Sequence, residues 1–313
     1  MKINNSSIKK SVNFLKKKEC IGIPTETVYG LAANAYSDIA TSKIFKLKKR
    51  PKTNPLIVHY YDLKTLKKDC HLNSYFNKLF KKFCPGPITF ILKLKKSSKI
   101  SKNVTNRKKT LAVRFPSHSK AKLLLKQVNF PLAAPSANKY SSISPVTKQD
   151  VIEEFGNKIK YVLDGGRSRV GLESTIIDLT ARPKIIRLGG LNLNNINKTL
   201  NLNLTYKFKN NYKFPGQNNL HYSPGIPIKM NIKFPKKNSA HILIRKKKVK
   251  NKNFFYLSKN GDLTEAGKNL YKILRKIKKK NYKLIEVVKI PKSGIGHTIN
   301  DRLRRASSKW ASK

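Results

Sequence analysis

Cysteine is scarce in this chain. There are three, Cys20, Cys70 and Cys84, an odd number with no CxxC spacing. That pattern supports neither a disulfide framework nor a zinc knuckle. Long apolar runs are also lacking, and none approaches the roughly 18 residues that a membrane-spanning helix needs. The first twenty residues, MKINNSSIKKSVNFLKKKEC, carry basic groups but no apolar run of signal-peptide length. A soluble, cytoplasmic protein with no membrane partner is the expectation. Acidic residues are few as well: 15 Asp and Glu stand against 69 Lys and Arg, a formal charge of +54 over 313 residues. Such a balance ordinarily points to nucleic acid, because clustered cations release counterions from a phosphate backbone. Here lysine is spread through every segment beside frequent Asn and Ile, so drift in composition accounts for most of it. The charge still attracts polyanions at long range, and weak tRNA binding is expected on that ground. A hydrophobic fraction of 39% is ample for a core and argues against disorder.

What is present is an alternation of strands and helices. Ile8, Val12 and Leu15 recur at helical spacing behind Ser6 and Ser7, which can cap. A strand at Cys20 to Ile23 leads through PTETVYG to a helix after Ser37, expected to bury Ile39, Ile44 and Leu47. Leu56 to Tyr60 reads as a buried strand. Phe76, Leu79, Phe80 and Phe83 form a helical stripe that Pro85-Gly86-Pro87 stops. Strands are expected at Thr89 to Leu94, Leu111 to Phe115, Pro131 to Ala134, Tyr161 to Leu163, Ser174 to Leu179 and Lys184 to Leu188. Strands interleaved with helices imply an α/β fold on a twisted, mostly covered sheet. Residues 191–219 are Asn-rich with little periodicity and read as a long connector. A second, smaller α/β unit is expected after it, with strands at His241 to Arg245, Phe254 to Leu257 and Lys283 to Ile290. Its helix, capped by Thr264, carries Ala266, Leu270, Ile273, Leu274 and Ile277, and a final helix starts near Gly296.

Four short islands hold candidate chemistry. Pro24-Thr25-Glu26-Thr27-Val28-Tyr29-Gly30 places hydroxyls and a glycine at a strand end, where ligands of open α/β sheets gather. Lys48-Lys49-Arg50-Pro51-Lys52-Thr53-Asn54-Pro55 flanks a turn with cations able to fix a triphosphate, Arg50 by its planar fork and Lys48 as a point charge. Pro131 to Asn138 runs from apolar strand into small polar groups, and an extended chain would project Ser136 and Asn138 on one side. Gly171-Leu172-Glu173-Ser174-Thr175 precedes a strand and, later, Arg187-Leu188-Gly189-Gly190. Taken singly, the first island is equally a capped turn, the second reads more readily as a chance basic cluster, and the others read as turns or caps. His59 alone is more often a core histidine bonded to backbone than a ligand contact.

Their order is more specific. PTETVYGL, then KxRPxxNPL with a histidine nine residues after the arginine, then AVRFP, APSAN, ESTI and RLGG resembles the YrdC-type domain of threonylcarbamoyl-AMP synthases over about residues 8–190. HYSPGIP at 221–227 and GIGHTINDRLRRAS at 294–307 resemble the linker and last helix of the long form of that family. The resemblance implies a YrdC-like twisted mixed sheet with flanking helices at 1–200, a linker or lid at 201–235, and a small Rossmann-like α/β C-terminal domain at 236–313. Position by position, it implies a catalytic tetrad at Lys48, Arg50, Ser136 and Asn138. It places L-threonine contacts at Thr27, His59, Arg114, Ala134 and Ser174. ATP contacts fall at Arg50, Asn54, Thr110, Ser136, Ser144, Arg187 and Tyr222. His297 departs from the family pattern, which carries a small residue there.

The implied activity is that of a nucleotidyltransferase. L-threonine, bicarbonate or CO2, and ATP give threonylcarbamoyl-adenylate and pyrophosphate, the first step of a tRNA modification beside the anticodon. A downstream transferase complex would use the product. Mg²⁺ would ride on the triphosphate, with no metal site expected of the protein itself. Two rivals are an RNA-binding protein without chemistry, which has no need of Thr27, His59 and Arg114 together, and a hydrolase or carbamoyl-transfer module, which would resemble only the first domain.

Overall fold

The computed structural model describes residues 5–206, 221–233, 236–249 and 251–307. The first unit is built on strands β1 (Ile21–Ile23), β2 (Gly30–Asn34), β3 (Ile57–His59), β4 (Ile88–Lys93), β5 (Thr110–Arg114), β6 (Leu132–Ala133), β7 (Thr175–Asp178) and β8 (Lys184–Arg187). They form one mixed sheet in the order β1-β2-β6-β3-β5-β4-β7-β8, with parallel pairs at β3–β5 and β4–β7. Around it lie helices α1 (Asn5–Lys16), α2 (Asp38–Lys48), α3 (Leu63–Asp69), α4 (Ser74–Phe83), α5 (Lys102–Thr105), α6 (Ser119–Val128), α7 (Lys148–Phe155) and α8 (Leu193–Leu200). The second unit has a four-stranded parallel sheet, β11-β10-β12-β9, from β9 (Ile228–Met230), β10 (Ala240–Arg245), β11 (Phe254–Ser258) and β12 (Ile285–Val287). Helices α9 (Leu263–Lys278) and α10 (Gly296–Ser307) complete it.

Period-two alternation sorts the central strands of the first sheet into two faces. Val58, Phe90, Leu92, Leu111, Val113 and Ile177 point into the main core with the α2 and α4 side chains. The opposite face carries a small apolar floor of Ile57, Ile91, Ala112 and Ile176. On that face the register puts His59 beside Arg114 and Arg114 beside Thr89. A third cluster, with Ile8, Val12 and Leu15 of α1 against Leu124, Leu125 and Val128 of α6, closes the β1 end.

The second unit does not have a core of its own alone. Leu270, Leu274, Ile299 and Leu303 pack in one cluster with Val28, Ile143, Val146 and Leu172 of the first unit and Tyr222 of the linker. Ion pairs from α9 to α7, Arg275 to Glu154 at 3.0 Å and Lys279 to Glu153 at 2.6 Å, flank this apolar contact. Gly171, at a φ of +72°, lies where a Cβ would come 2.5 Å from the Lys268 carbonyl of α9, so only glycine permits the approach.

Several expectations shift in detail. Ser37 does cap α2, but Ile39 is 59% exposed and Ala40, Ile44 and Phe45 fill the buried face. The cap sets the helix start, and Ile39 then falls on the side away from the sheet. Asp62, Asn73 and Asp262 cap α3, α4 and α9, so Thr264 lies inside α9. Residues 193–200 of the expected connector form α8, which packs Ile196 and Leu200 into the main core. Tyr161 to Leu163 contributes one isolated bridge, Gly22 to Val162, in place of a strand. Residues 207–220, most of the rest of the expected connector, lie outside the described residues.

Candidate active site

A cavity of about 50 Å³ sits over the polar face of the sheet, walled by Arg50, His59, Arg114, Ser136, Ser174, Arg187 and Tyr222. His59 is 2% exposed, and among the described residues neither ring nitrogen has a partner in good hydrogen-bond geometry, the Leu132 backbone being the nearest polar influence. Burial first, and the Arg114 cation next, hold its pKa well below the usual histidine value. The ring is therefore neutral at working pH and offers one donor and one acceptor to whatever occupies the cavity. Arg114 is anchored by Glu26 through a buried 2.8 Å pair, and its Nε is left without a partner. Glu26 also accepts from the Ser117 amide, so both carboxylate oxygens are committed. Ser174 shares its hydroxyl with Thr89 at 2.7 Å, and Arg187 donates to the Ser174 carbonyl at 2.9 Å. This close approach of strands requires Gly189, whose Cβ would lie 2.3 Å from the Ser174 carbonyl carbon.

The cations of the second island differ from each other. Arg50 lines the cavity while donating to the Asn54 carbonyl and side chain and to the Pro55 carbonyl at 2.6–3.0 Å. Burial pulls its pKa down to about 10, still far above neutrality. Lys48, at the end of α2, is 1% exposed and spends its ammonium on the carbonyls of Ser136 and Asn138. Burial pulls its pKa well below the usual lysine value, and Arg50 adds to this. The Ser136–Asn138 segment is not extended: the Asn138 amide returns to the Ser136 carbonyl at 3.0 Å. What Lys48 gathers is thus a turn of backbone carbonyls, and Asn138 Nδ2 pins the same turn to Lys139 and Ser142.

Of the residues expected here, Arg50, His59, Arg114, Ala134, Ser136, Ser174, Arg187 and Tyr222 meet at the cavity wall. Lys48, Asn54 and Asn138 brace wall residues from behind. Thr27 is fully buried, and its hydroxyl pairs with Thr25, which does reach the wall. Ser144 bonds to Glu173, another wall residue, at 2.6 Å. Thr110 shares the polar face of β5 with Ala112 and Arg114 but lies at the far end of the strand, away from the wall. His297 is exposed on α10 and does not line the cavity. Glu26, Glu173, Tyr271 and Arg302 were not singled out from the sequence. The available signal was the rarity of acids: two of fifteen lie inside the motifs PTETVYG and GLESTI.

Over the cavity lies the His221-Tyr222 pair. Tyr222 is fully buried, its hydroxyl has no partner, and it takes a φ of 65°, uncommon for a bulky residue. Flanking bonds impose that conformation: His221 N–H to the Arg305 carbonyl at 3.2 Å and Ser223 N–H to the Ser141 carbonyl at 2.9 Å. A cavity of this size holds a few water molecules.

The family described as "Telomere recombination" matches residues 13–189, and that described as "Threonylcarbamoyl-AMP synthase, C-terminal domain" matches residues 191–308. A threonylcarbamoyl-AMP synthase of Pyrococcus abyssi is 34% identical over 98% of this chain and 95% of its own. That of Bacillus subtilis is 30% identical over 97% and 94%. The crystal structure of P. abyssi Sua5 complexed with L-threonine superposes with a TM-score of 0.89 at 31% identity, covering 98% of this chain and 96% of that one.

Proposed function

The chain belongs to the two-domain family of threonylcarbamoyl-AMP synthases, and from that premise we propose that the cavity over the polar sheet face is where it makes threonylcarbamoyl-adenylate. The activity is that of an ATP-dependent nucleotidyltransferase acting on L-threonine. The observation that carries the location is the convergence of His59, Arg114 and Ser174 with Arg50, Arg187 and Tyr222 on one cavity.

Arg114, held by Glu26, meets the threonine carboxylate, for which a guanidinium fork is the natural partner. The neutral His59 ring and the Ser174 hydroxyl serve the threonine hydroxyl. The threonine amine, giving up a proton, forms a bond to the carbon of CO2. The resulting carbamate oxygen forms a bond to the α-phosphorus of ATP in line, the α–β phosphoanhydride bond breaks, and pyrophosphate leaves. Such a displacement asks the protein for positioning and charge stabilisation. Arg50 and Arg187 supply the charge, exchanging carbonyl partners for phosphate oxygens. Lys48 and Asn138 hold the Ser136 turn against the nucleotide. Glu26 and Glu173 are already bonded to Arg114 and Arg302. A Mg²⁺ ion that accompanies ATP would accordingly be held by phosphates and water, screening the charge on the triphosphate. The product would pass to a separate transferase acting on tRNA.

The test is pyrophosphate release from ATP and bicarbonate by the purified chain. Release should depend on L-threonine and should not respond to valine. No threonine-dependent release would refute the activity.

A further inference from the structure

The C-terminal unit reaches the cavity wall through the Glu173 carboxylate as well as through the His221-Tyr222 pair. Glu173 receives the Arg302 Nε at 2.8 Å, the Tyr271 hydroxyl at 2.8 and 2.9 Å, and the Ser144 hydroxyl at 2.6 Å. Arg302 comes from α10 and Tyr271 from α9, whereas Glu173 and Ser144 belong to the first unit. Arg302 is 1% exposed and has no spare direction. Its Nη1 pairs with Asp301 at 2.6 Å, its Nη2 donates to the Leu188 carbonyl at 2.6 Å, and its guanidinium lies 4.8 Å from the Tyr222 ring centroid. Tyr271 stacks on the same ring at 5.8 Å. Thr298, on α10, donates to the Gly189 carbonyl at 3.1 Å. Ser144, Arg187 and Tyr222 are three of the seven groups read above as facing ATP, and each is touched by, or one residue removed from, this network; Arg50, Asn54, Thr110 and Ser136 are not. Of the groups read as facing threonine, Arg114 is held by Glu26 of the first unit and His59 takes no bond from the second, while Ser174 adjoins Glu173 and is bonded by Arg187.

We infer that Arg302, assisted by Tyr271, is a positioning residue that builds the nucleotide half of the site from the C-terminal unit, acting through Glu173 on Ser144 and directly on the Tyr222 ring. The second unit is then part of the ATP site by construction, and not only a cover for it. Physically, a carboxylate in a dry interior is held at one position only if its donors are fixed, and a planar fork with three partners fixes it better than an ammonium can. Burial pushes the Glu173 carboxyl up, yet Arg302 and Arg187 outweigh it and hold the pKa at about 2. The carboxylate therefore stays charged and keeps demanding its donors. This inference rests on the reading of Ser144, Arg187 and Tyr222 as ATP contacts.

The experiment uses the full chain. Arg302→Ala would leave Glu173 as an uncompensated buried charge and would test folding. Arg302→Lys keeps the charge and loses the fork, and Tyr271→Phe keeps the ring and loses one donor. Losing a hydrogen bond to a charged partner should raise the KM for ATP about tenfold in Arg302→Lys, and by less in Tyr271→Phe, with the KM for threonine within about twofold of wild type. The thermal shift that ATP produces should shrink in both variants while the shift produced by threonine stays. Combining Arg302→Lys with Ser144→Ala should give an ATP defect smaller than the sum of the two alone, because both act in part through Glu173. If ATP and threonine suffer equally, or the double variant is additive, the residues only stabilise the fold and the inference is wrong. An unchanged ATP shift in Tyr271→Phe and Arg302→Lys would overturn it as well. If wild type releases no pyrophosphate, the proposed activity falls, while the ATP shifts still decide the relay. If Arg302→Lys does not fold, Tyr271→Phe carries the decision.

Discussion

At the scale of single residues, two neighbouring cations have different work. Arg50 faces the cavity, whereas Lys48 satisfies two carbonyls of the Ser136–Asn138 turn. Arg50→Ala should abolish most pyrophosphate release, since contacts of this kind stabilise charge in a water-poor site, and should also lower the melting temperature, because the buried Asn54 and Pro55 carbonyls lose their donor. Lys48→Met should lose activity and also stability, because each orphaned buried carbonyl costs about 1–3 kcal/mol. Turnover close to wild type in both would remove these residues from the site. His59 gives the selectivity prediction. Its unpartnered neutral ring needs a ligand group to satisfy it, so threonine should protect the fold against heat in the presence of ATP. Valine, which lacks the hydroxyl, should protect far less, and equal protection would mean that the pocket lies elsewhere.

At the scale of elements, the His221–Gly225 segment is proposed as a lid for ATP, because its His221 and Tyr222 line the cavity. Tyr222 fills the space above Arg187 in a left-handed conformation that costs about 1–3 kcal/mol and is held by its neighbours. Such a strained plug can move without unfolding either sheet. It can then close over bound nucleotide to keep water from the adenylate. Tyr222→Ala should weaken ATP binding and raise the fraction of adenylate lost to hydrolysis, measured by the ratio of AMP to intact product. Wild-type values for both would reduce the segment to a tether. Other elements show where sequence reading falls short. Strand β2, GLAAN, has too little β-branched character to announce itself, and it forms because β1 and β6 pair with it on both edges. Helix α8 was hidden by asparagine, which favours caps and turns; packing of Ile196 and Leu200 against the core overrides that preference.

At the scale of the whole molecule, the excess of lysine conceals an economy of acids. Glu26, Glu173, Glu154 and Asp301 are all paired with arginines in the interior or between the units. The pH dependence follows from Glu173, whose folded pKa of about 2 lies below the ordinary 4.5. Its contribution is complete above the ordinary value and is lost as the pH falls from there toward the folded value. Wild type and Glu173→Gln should therefore differ in melting temperature at neutral pH and converge as the pH falls from about 5 toward 2. A constant gap would show that the carboxylate charge is not what matters. As for the +54, RNA binding by the isolated chain should collapse as salt rises and show no preference for tRNA over unrelated RNA. A salt-resistant complex selective for tRNA would mean that part of the charge is arranged.

The sequence by itself determined the alternation of strands and helices, the position of the binding loops at strand ends, and the order of motifs that names the family. These are local or near-local properties, carried by hydrophobic period, by caps such as Ser37, and by proline and glycine at turns. It also marked eight of the residues that meet at the cavity. Only the tertiary structure decided that Lys48 grips a turn, that Thr110 stands apart, that Tyr222 closes the site, and that Glu173 is shared between the units. Each of those depends on residues 80 to 130 positions apart meeting in a dry interior, as in Lys48 with Ser136 or Arg302 with Glu173. Whether such a pair meets is settled by the packing of whole units, and no local pattern along the chain records it.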